Sequence, residues 1–157
     1  MAVMVAVKPI GYVVTEMSED DIKRDRARAI SRIVVYRKYA DGLKGIDGYS
    51  HIIVLYWMHR LSRRRITPMV VRPRGRQDLP EVGVFATRNP RRPNPIGLTV
   101  VELIGVRDNL LTVKGLDALN KTPVLDIKPY DFYDIVLSPR VPDWFMRIWE
   151  EGGGRRR

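Results

Sequence analysis

Apolar residues in this chain come in short runs broken by turn-forming residues, a pattern that predicts strands more often than helices. Residues 3–7 and 11–15 are rich in β-branched side chains on either side of Pro9. Residues 31–36 (SRIVVY) predict another strand. Residues 50–58 (SHIIVLYWM) predict the strongest one, apolar at almost every position as in a strand buried on both faces. Residues 69–72, 83–86, 96–106, 110–116 and 124–127 complete the set, with Asp108-Asn109 as the turn of a hairpin. Residues 39–48 hold three glycines and read as a turn region.

Helical signals are few. Residues 18–28 open with Ser-Glu-Asp-Asp, an N-cap and acidic first turn, and fit a short helix or a mobile loop. Residues 143–151 (DWFMRIWEE) predict a terminal helix capped by Asp143, with Trp144, Ile148 and Phe145 on its apolar stripe. Short strands with few helices imply a mainly β fold, an antiparallel barrel or sandwich with short helices. The 157 residues suit one core. A single domain is expected over residues 1–151, followed by a disordered basic tail, 152–157.

Two stretches break the strand pattern. Residues 83–98 read GVFATRNPRRPNPIGL. Pro90, Pro93 and Pro95 fix φ and remove backbone donors, so a stiff, irregular loop is expected between two strands. Arg88, Arg91 and Arg92 on such a loop can bind phosphate or carboxylate as forks. Asn89 and Asn94 either serve as turn residues or read a base edge. Residues 122–130 read TPVLDIKPY. Strand alternation puts Asp126 and Lys128 on one side, Leu125 and Ile127 on the other. The charged pair either grips a zwitterionic or hydroxyl-rich ligand or is a plain surface ion pair. His59 and Arg60 end the strongest strand, where they either reach a site or emerge into solvent.

The formal charge is +10, and it is concentrated. Between residues 60 and 92, Arg60, Arg63, Arg64, Arg65, Arg72, Arg74, Arg76, Arg88, Arg91 and Arg92 face only Asp78 and Glu81. Such a stripe attracts polyanions through counterion release, or is only a solvated basic face. Cysteine is absent, which excludes disulfides and thiolate metal sites and fits a cytoplasmic protein. His51 and His59 are the only histidines and have no carboxylate cluster beside them, so no metal is expected. Neither a P-loop nor a G-x-G-x-x-G after a strand occurs, which argues against a Rossmann-type nucleotide site. No apolar run approaches the roughly 20 residues of a membrane span. The apolar start lacks a basic leader and a cleavage site and reads as a first strand.

Three segments, GVFATRNPRRPNPIGL, TPVLDIKPY and GYSHIIVLYWMH, resemble the signatures of the TsaA-like family. Its characterised bacterial members are tRNA N6-threonylcarbamoyladenosine methyltransferases, called TrmO. The resemblance runs from about Ile10 to Tyr133. It implies a β-barrel that forms a homodimer and binds S-adenosylmethionine outside any Rossmann framework. It also implies methyl transfer to the N6 nitrogen of threonylcarbamoyladenosine beside the tRNA anticodon. Motif by motif, the implied cofactor contacts are His59, Arg60, Arg88, Leu98, Leu125, Asp126, Ile127 and Lys128. Asp126 and Tyr130 are the candidates for taking the N6 proton. Lys128 or Arg88 can hold the threonyl carboxylate, and Tyr130, Phe132 or Tyr133 can stack a flipped-out base. Arg63, Arg64, Arg91, Arg92 and Asn94 are expected to meet the RNA. The chain departs from bacterial relatives in two places. Residues 18–28 stand where those relatives carry a Pro-Arg-Gln segment, and the bacterial C-terminal extension is missing. The competing reading is a non-enzymatic RNA-binding or S-adenosylmethionine-sensing module on the same barrel.

Overall fold

A computed structural model describes residues 3–61 and 68–153. Its strands and helices are β1 (Gly11–Val14), α1 (Glu19–Asp25), β2 (Ile30–Val35), β3 (His51–Trp57), β4 (Val70–Val71), β5 (Val82–Gly83), β6 (Ile96–Arg107), β7 (Leu110–Lys114), β8 (Pro123–Pro129) and α2 (Asp143–Glu151). Six strands close into an antiparallel barrel in the order β1-β2-β7-β6-β3-β8, while β4 and β5 form a separate pair. Closure leaves no free sheet edge running the length of the barrel. The mainly β, antiparallel-barrel expectation is met.

The barrel interior follows from alternation. Val13, Ile33, Val35, Ile52, Val54, Tyr56, Val101, Leu111, Val113 and Val124 point inward and are buried. Their outward neighbours differ in character from strand to strand. On β3 the outward row is Ile53, Leu55 and Trp57, only half-buried. Within one chain, the expectation that this strand is buried on both faces is met on the inner face only. An apolar run covers two faces of a strand, but here only one faces the core.

Other expectations shift at the ends. Residues 3–7 are not a strand. They carry no regular structure and are exposed, Val3 by 88% and Met4 by 95%, because pairing starts only at Gly11 beyond Pro9. Residues 18–28 do fold. Ser18 caps α1, its hydroxyl accepting from the Asp21 backbone N–H while the Asp21 carboxylate accepts from the Ser18 N–H. The segment 83–86 continues as strand only at Gly83 and then tightens into a 3-10 turn over Val84–Ala86. Helix α2 has Pro142, not Asp143, at its N-cap, and Asp143 is its first helical residue. Ile148 is its buried anchor, and Phe145 stays 41% exposed. Among the described residues no helix is long and apolar enough to cross a membrane.

Candidate functional site at the end of β3

His59 and Arg60 follow the last residues of β3, and both signature stretches converge on them. The Met58 backbone N–H donates to Pro95 O at 2.8 Å, which ties the proline loop to this strand end. On the other side, His59 Nδ1 lies 3.4 Å from the hydroxyl of buried Thr122, the start of the second stretch. A cleft of about 260 Å³ opens here, lined in part by Glu19, Ile22, His59, Arg60, Pro90 and Thr122. Partial burial and, secondarily, the Arg60 guanidinium hold the His59 imidazole below its usual range. It is therefore neutral near pH 7, able to accept a hydrogen bond and adding no charge against a cationic ligand.

Side-chain hydrogen bonds brace the proline loop. The Arg92 guanidinium donates to Thr87 O at 2.9 Å and Asn89 O at 3.3 Å and stacks over Phe85 at 5.7 Å. Asn89 Oδ1 accepts from the Arg91 backbone N–H at 2.9 Å, so Asn89 is a turn residue. Asn94 is exposed, and its carbonyl accepts from the Ile96 N–H at 2.8 Å. Arg92 thus braces the loop, whereas the guanidinium groups of Arg88 and Arg91 are exposed and make no hydrogen bond or ion pair with another described residue. Arg88 does not line the His59 cleft. It lines a neighbouring groove, with Pro90 on the wall between them.

Leu98, Asp126 and Lys128 lie on the outer face of β6, β3 and β8. Register sets Leu98 beside Leu55 and Leu55 beside Asp126, in one row across three strands. The next row is Val100, Ile53 and Lys128. Ile96, Leu98 and Val100 are 40%, 58% and 42% exposed, so an apolar face stands open beside a charged pair. Asp126 Oδ2 meets Lys128 Nζ at 2.9 Å, and its Oδ1 accepts from the Ile127 backbone N–H at 2.9 Å. That bond to Asp126 raises the Lys128 ammonium above its ordinary range. The alternation expected for this stretch holds from Asp126 onward and fails before it. A bulge lets Leu55 oppose Asp126 and Tyr56 oppose Val124, leaving Leu125 as the extra residue. Ile127 packs against the core, and half-buried Leu125 does not join it.

Not every candidate joins the cleft. Tyr130 lies edge-on to His51, with ring centroids 6.3 Å apart. His51 begins β3 and His59 follows its end, about 26 Å away at roughly 3.3 Å per residue. In this chain Tyr130 is therefore remote from His59. Phe132 and Tyr133 are 89% and 99% exposed on a turn past β8. Arg63 and Arg64 lie outside the described residues, as do residues 154–157 of the tail. Sequence reasoning passed over Glu19 and Ile22, which α1 brings into the His59 cleft. The available signal was positional, since α1 falls in residues 18–28, the segment where the family resemblance implied a departure. Among the described residues no three His, Cys, Asp or Glu side chains converge as a metal site would require.

Comparison with known proteins gives a consistent set. The model of the tRNA-methyltransferase O N-terminal domain matches residues 21–134. An S-adenosyl-L-methionine-binding protein of Archaeoglobus fulgidus is 48% identical over 126 residues, 78% of this chain and 87% of that protein. A tRNA (adenine(37)-N6)-methyltransferase of Rattus norvegicus is 33% identical over 131 residues, 78% of this chain but 30% of that protein. A crystal structure of TrmO superposes with a TM-score of 0.71 at 34% identity, covering 88% of this chain and 64% of that one. A TrmO from Pseudomonas aeruginosa gives 0.67 at 32%, covering 88% and 62%. The chain thus spans a little under two thirds of the solved TrmO chains it resembles.

Proposed function

This chain belongs to the TrmO family, as a form of its N-terminal domain, and on that premise we propose that it is an S-adenosylmethionine-dependent methyltransferase acting on the N6 nitrogen of threonylcarbamoyladenosine next to the tRNA anticodon. The observation that carries the reading is the convergence of the two signature stretches on one strand end, with Pro90 and Thr122 lining the same cleft as His59 and Arg60.

The chemistry fits the residues present. S-adenosylmethionine supplies a methyl group already activated by its sulfonium. The chain must then orient donor and acceptor and handle a proton. Neutral His59 suits a cationic ligand, and Ile22 offers apolar cover. The cleft's 260 Å³ falls below the roughly 300–1,000 Å³ of small-molecule sites, so one chain's cleft holds only part of such a ligand. The rest is assigned to Leu98, Leu125, Asp126, Ile127 and Lys128, contributed by a second copy docked through the open β6-β3-β8 face. What supports the homodimer is the position of Leu98 and Asp126 on that apolar face.

The carbamoyl group withdraws the N6 lone pair, so removal of its proton matters. Asp126 is the assigned acceptor. A carboxylate offers about four lone-pair positions, and Asp126 uses one toward Lys128 and one toward the Ile127 N–H. Tyr130 lies about 13 Å farther along β8 and is the weaker candidate. Lys128 and Arg88 suit the threonyl carboxylate, while Arg91, exposed on the braced loop, suits phosphate. A cytoplasmic location follows from a tRNA substrate.

The test uses labelled S-adenosylmethionine with tRNA that carries or lacks threonylcarbamoyladenosine. Incorporation into the modified tRNA alone supports the enzyme. Cofactor binding without transfer to either RNA contradicts it and favours a sensing module.

A further inference from the structure

Beyond the His59 cleft, a groove of about 620 Å³ runs between the proline loop, the turn at residues 72–74 and helix α2. The residues lining it include three aromatics, Phe85, Trp144 and Phe145, and three arginines, Arg72, Arg74 and Arg88, with no acidic residue. Phe85 is 68% exposed and Phe145 is 41% exposed. Trp144 and Phe145 meet edge-on at 5.9 Å, which fixes an aromatic wall. Helix α2 lies beyond residues 21–134, the span the family model covers.

The groove is held open by charge. Arg76 bridges Asp78 and Glu151, and Arg147 bonds both the Asp78 carboxylate and, at 2.9 Å, its backbone carbonyl. Helix and turn are clamped together outside the groove while its inner wall stays open. At the rim, Arg74 takes φ 54° and ψ 16°, the left-handed region that disfavours arginine. Its guanidinium makes no hydrogen bond or ion pair with another described residue. A strained residue with an uncommitted cationic head beside an aromatic wall points to a ligand rather than to the fold.

We propose that this groove holds an unpaired nucleotide of the RNA substrate, its base stacked on Phe85 and Phe145 and its phosphate on Arg74. Aromatic faces accept any base, and although Arg72 is paired with Glu81, Arg74 and Arg88 have no partner among the described residues and suit a polyanion. Pro90 separates this groove from the His59 cleft, so a nucleotide held here lies next to the methyl-donor pocket. The inference deepens the methyltransferase reading and rests on RNA being the substrate.

Phe145→Ala and Arg74→Ala test it, because both side chains are exposed, their loss leaves the barrel core intact, and neither touches the Arg92–Phe85 brace of the proline loop. The probe is a fluorescently labelled anticodon stem-loop RNA, with S-adenosylmethionine affinity measured in parallel by calorimetry. Phe145→Ala is expected to weaken RNA binding by about tenfold. Arg74→Ala should lower the slope of log affinity against log salt by about 0.7, one single-strand phosphate contact. Cofactor affinity should stay within about twofold in both, against the wild-type precision of such assays. Unchanged RNA affinity in both variants overturns the groove assignment even when the wild type methylates tRNA. Loss of cofactor affinity also overturns it, since the groove then belongs to the cofactor. Failure of the wild type to transfer methyl groups, with RNA binding still weakened by both variants, sinks the enzyme reading and leaves the groove standing.

Discussion

Tyr56 packs against Gly97 so closely that a Cβ at position 97 would lie 2.2 Å from Tyr56 Cε2 and 2.3 Å from Cζ. The two are register partners on β3 and β6. The glycine of the PNPIGL signature is therefore required by a ring, not by a turn. Tyr56 is buried, its hydroxyl donates to Asp117 O, and it lies 3.2 Å from Thr99 Oγ1. Burial, chiefly, pushes its ionisation upward, so it stays a donor through the working pH range. Gly97→Ala should cost about 1–3 kcal/mol by overpacking. Urea unfolding measures it, and a loss under about 0.5 kcal/mol would show that the ring can move aside.

The Asp126–Lys128 pair is a surface pair, with side chains 46% and 59% exposed. Exposed pairs of this kind contribute little to stability. Asp126→Asn should leave Tm unchanged and reduce methyl transfer. Cofactor affinity then separates two roles. Unchanged affinity with lost transfer marks a proton acceptor, lost affinity marks a binding residue, and full transfer with unchanged affinity removes Asp126 from both.

His59 gives a pH signature. Its folded-state pKa is lowered below the ordinary 6.5. Protonation below that point sets a second positive charge beside Arg60 and any sulfonium. Cofactor affinity should hold at neutral pH and fall as pH drops through the lowered value, and His59→Gln should flatten the profile. Stability has the same sign. The unfolded chain binds the proton more readily, so the contribution of neutral His59 is present above about 6.5 and lost as pH falls through the folded value. Calorimetric titration of the cofactor across pH 5–8 reads the first effect directly.

The clamp on α2 titrates lower. Asp78 is held at about 2, first by its bond to Arg76, and Glu151 is held below its ordinary range by the same guanidinium. Depressed carboxylates stabilise above their unfolded pKa values and lose that contribution as pH falls through the folded ones. Docking of α2 should thus persist at pH 5 and loosen toward pH 2, and high salt should weaken it. Fluorescence of Trp144 and Trp149 follows it, and no change across that range would contradict the clamp.

How far the sequence carried the reading depended on the residue. Interior positions such as Ile52, Val54 and Val113 obey strand alternation and were legible. The outer face of β3 was not, because Ile53 and Leu55 are as apolar as the core and only the third dimension shows them facing outward. Leu125 was misplaced because a bulge adds one residue locally, which composition does not mark. Residues 3–7 have strand-like side chains and pair with no strand among the described residues. Glu19 and Ile22 went unnoticed because their role arises from α1 folding over the end of β3, a long-range contact with no local pattern.

The open face also makes a claim about assembly. Val100→Glu, on an exposed outward position of β6, should convert a dimer to monomers in light scattering, with the barrel's circular dichroism preserved. A wild type that is monomeric at every concentration would remove the second copy from the proposed site.

Titration of isotope-labelled protein with S-adenosylmethionine, followed by backbone amide shifts, most directly tests whether the arginine-proline loop and the aspartate-lysine strand build one cofactor site. The largest shifts should cluster at His59, Arg60, Leu98 and Leu125 to Lys128. Shifts confined to the β1–β2–β7 side of the barrel, with those positions silent, would contradict it.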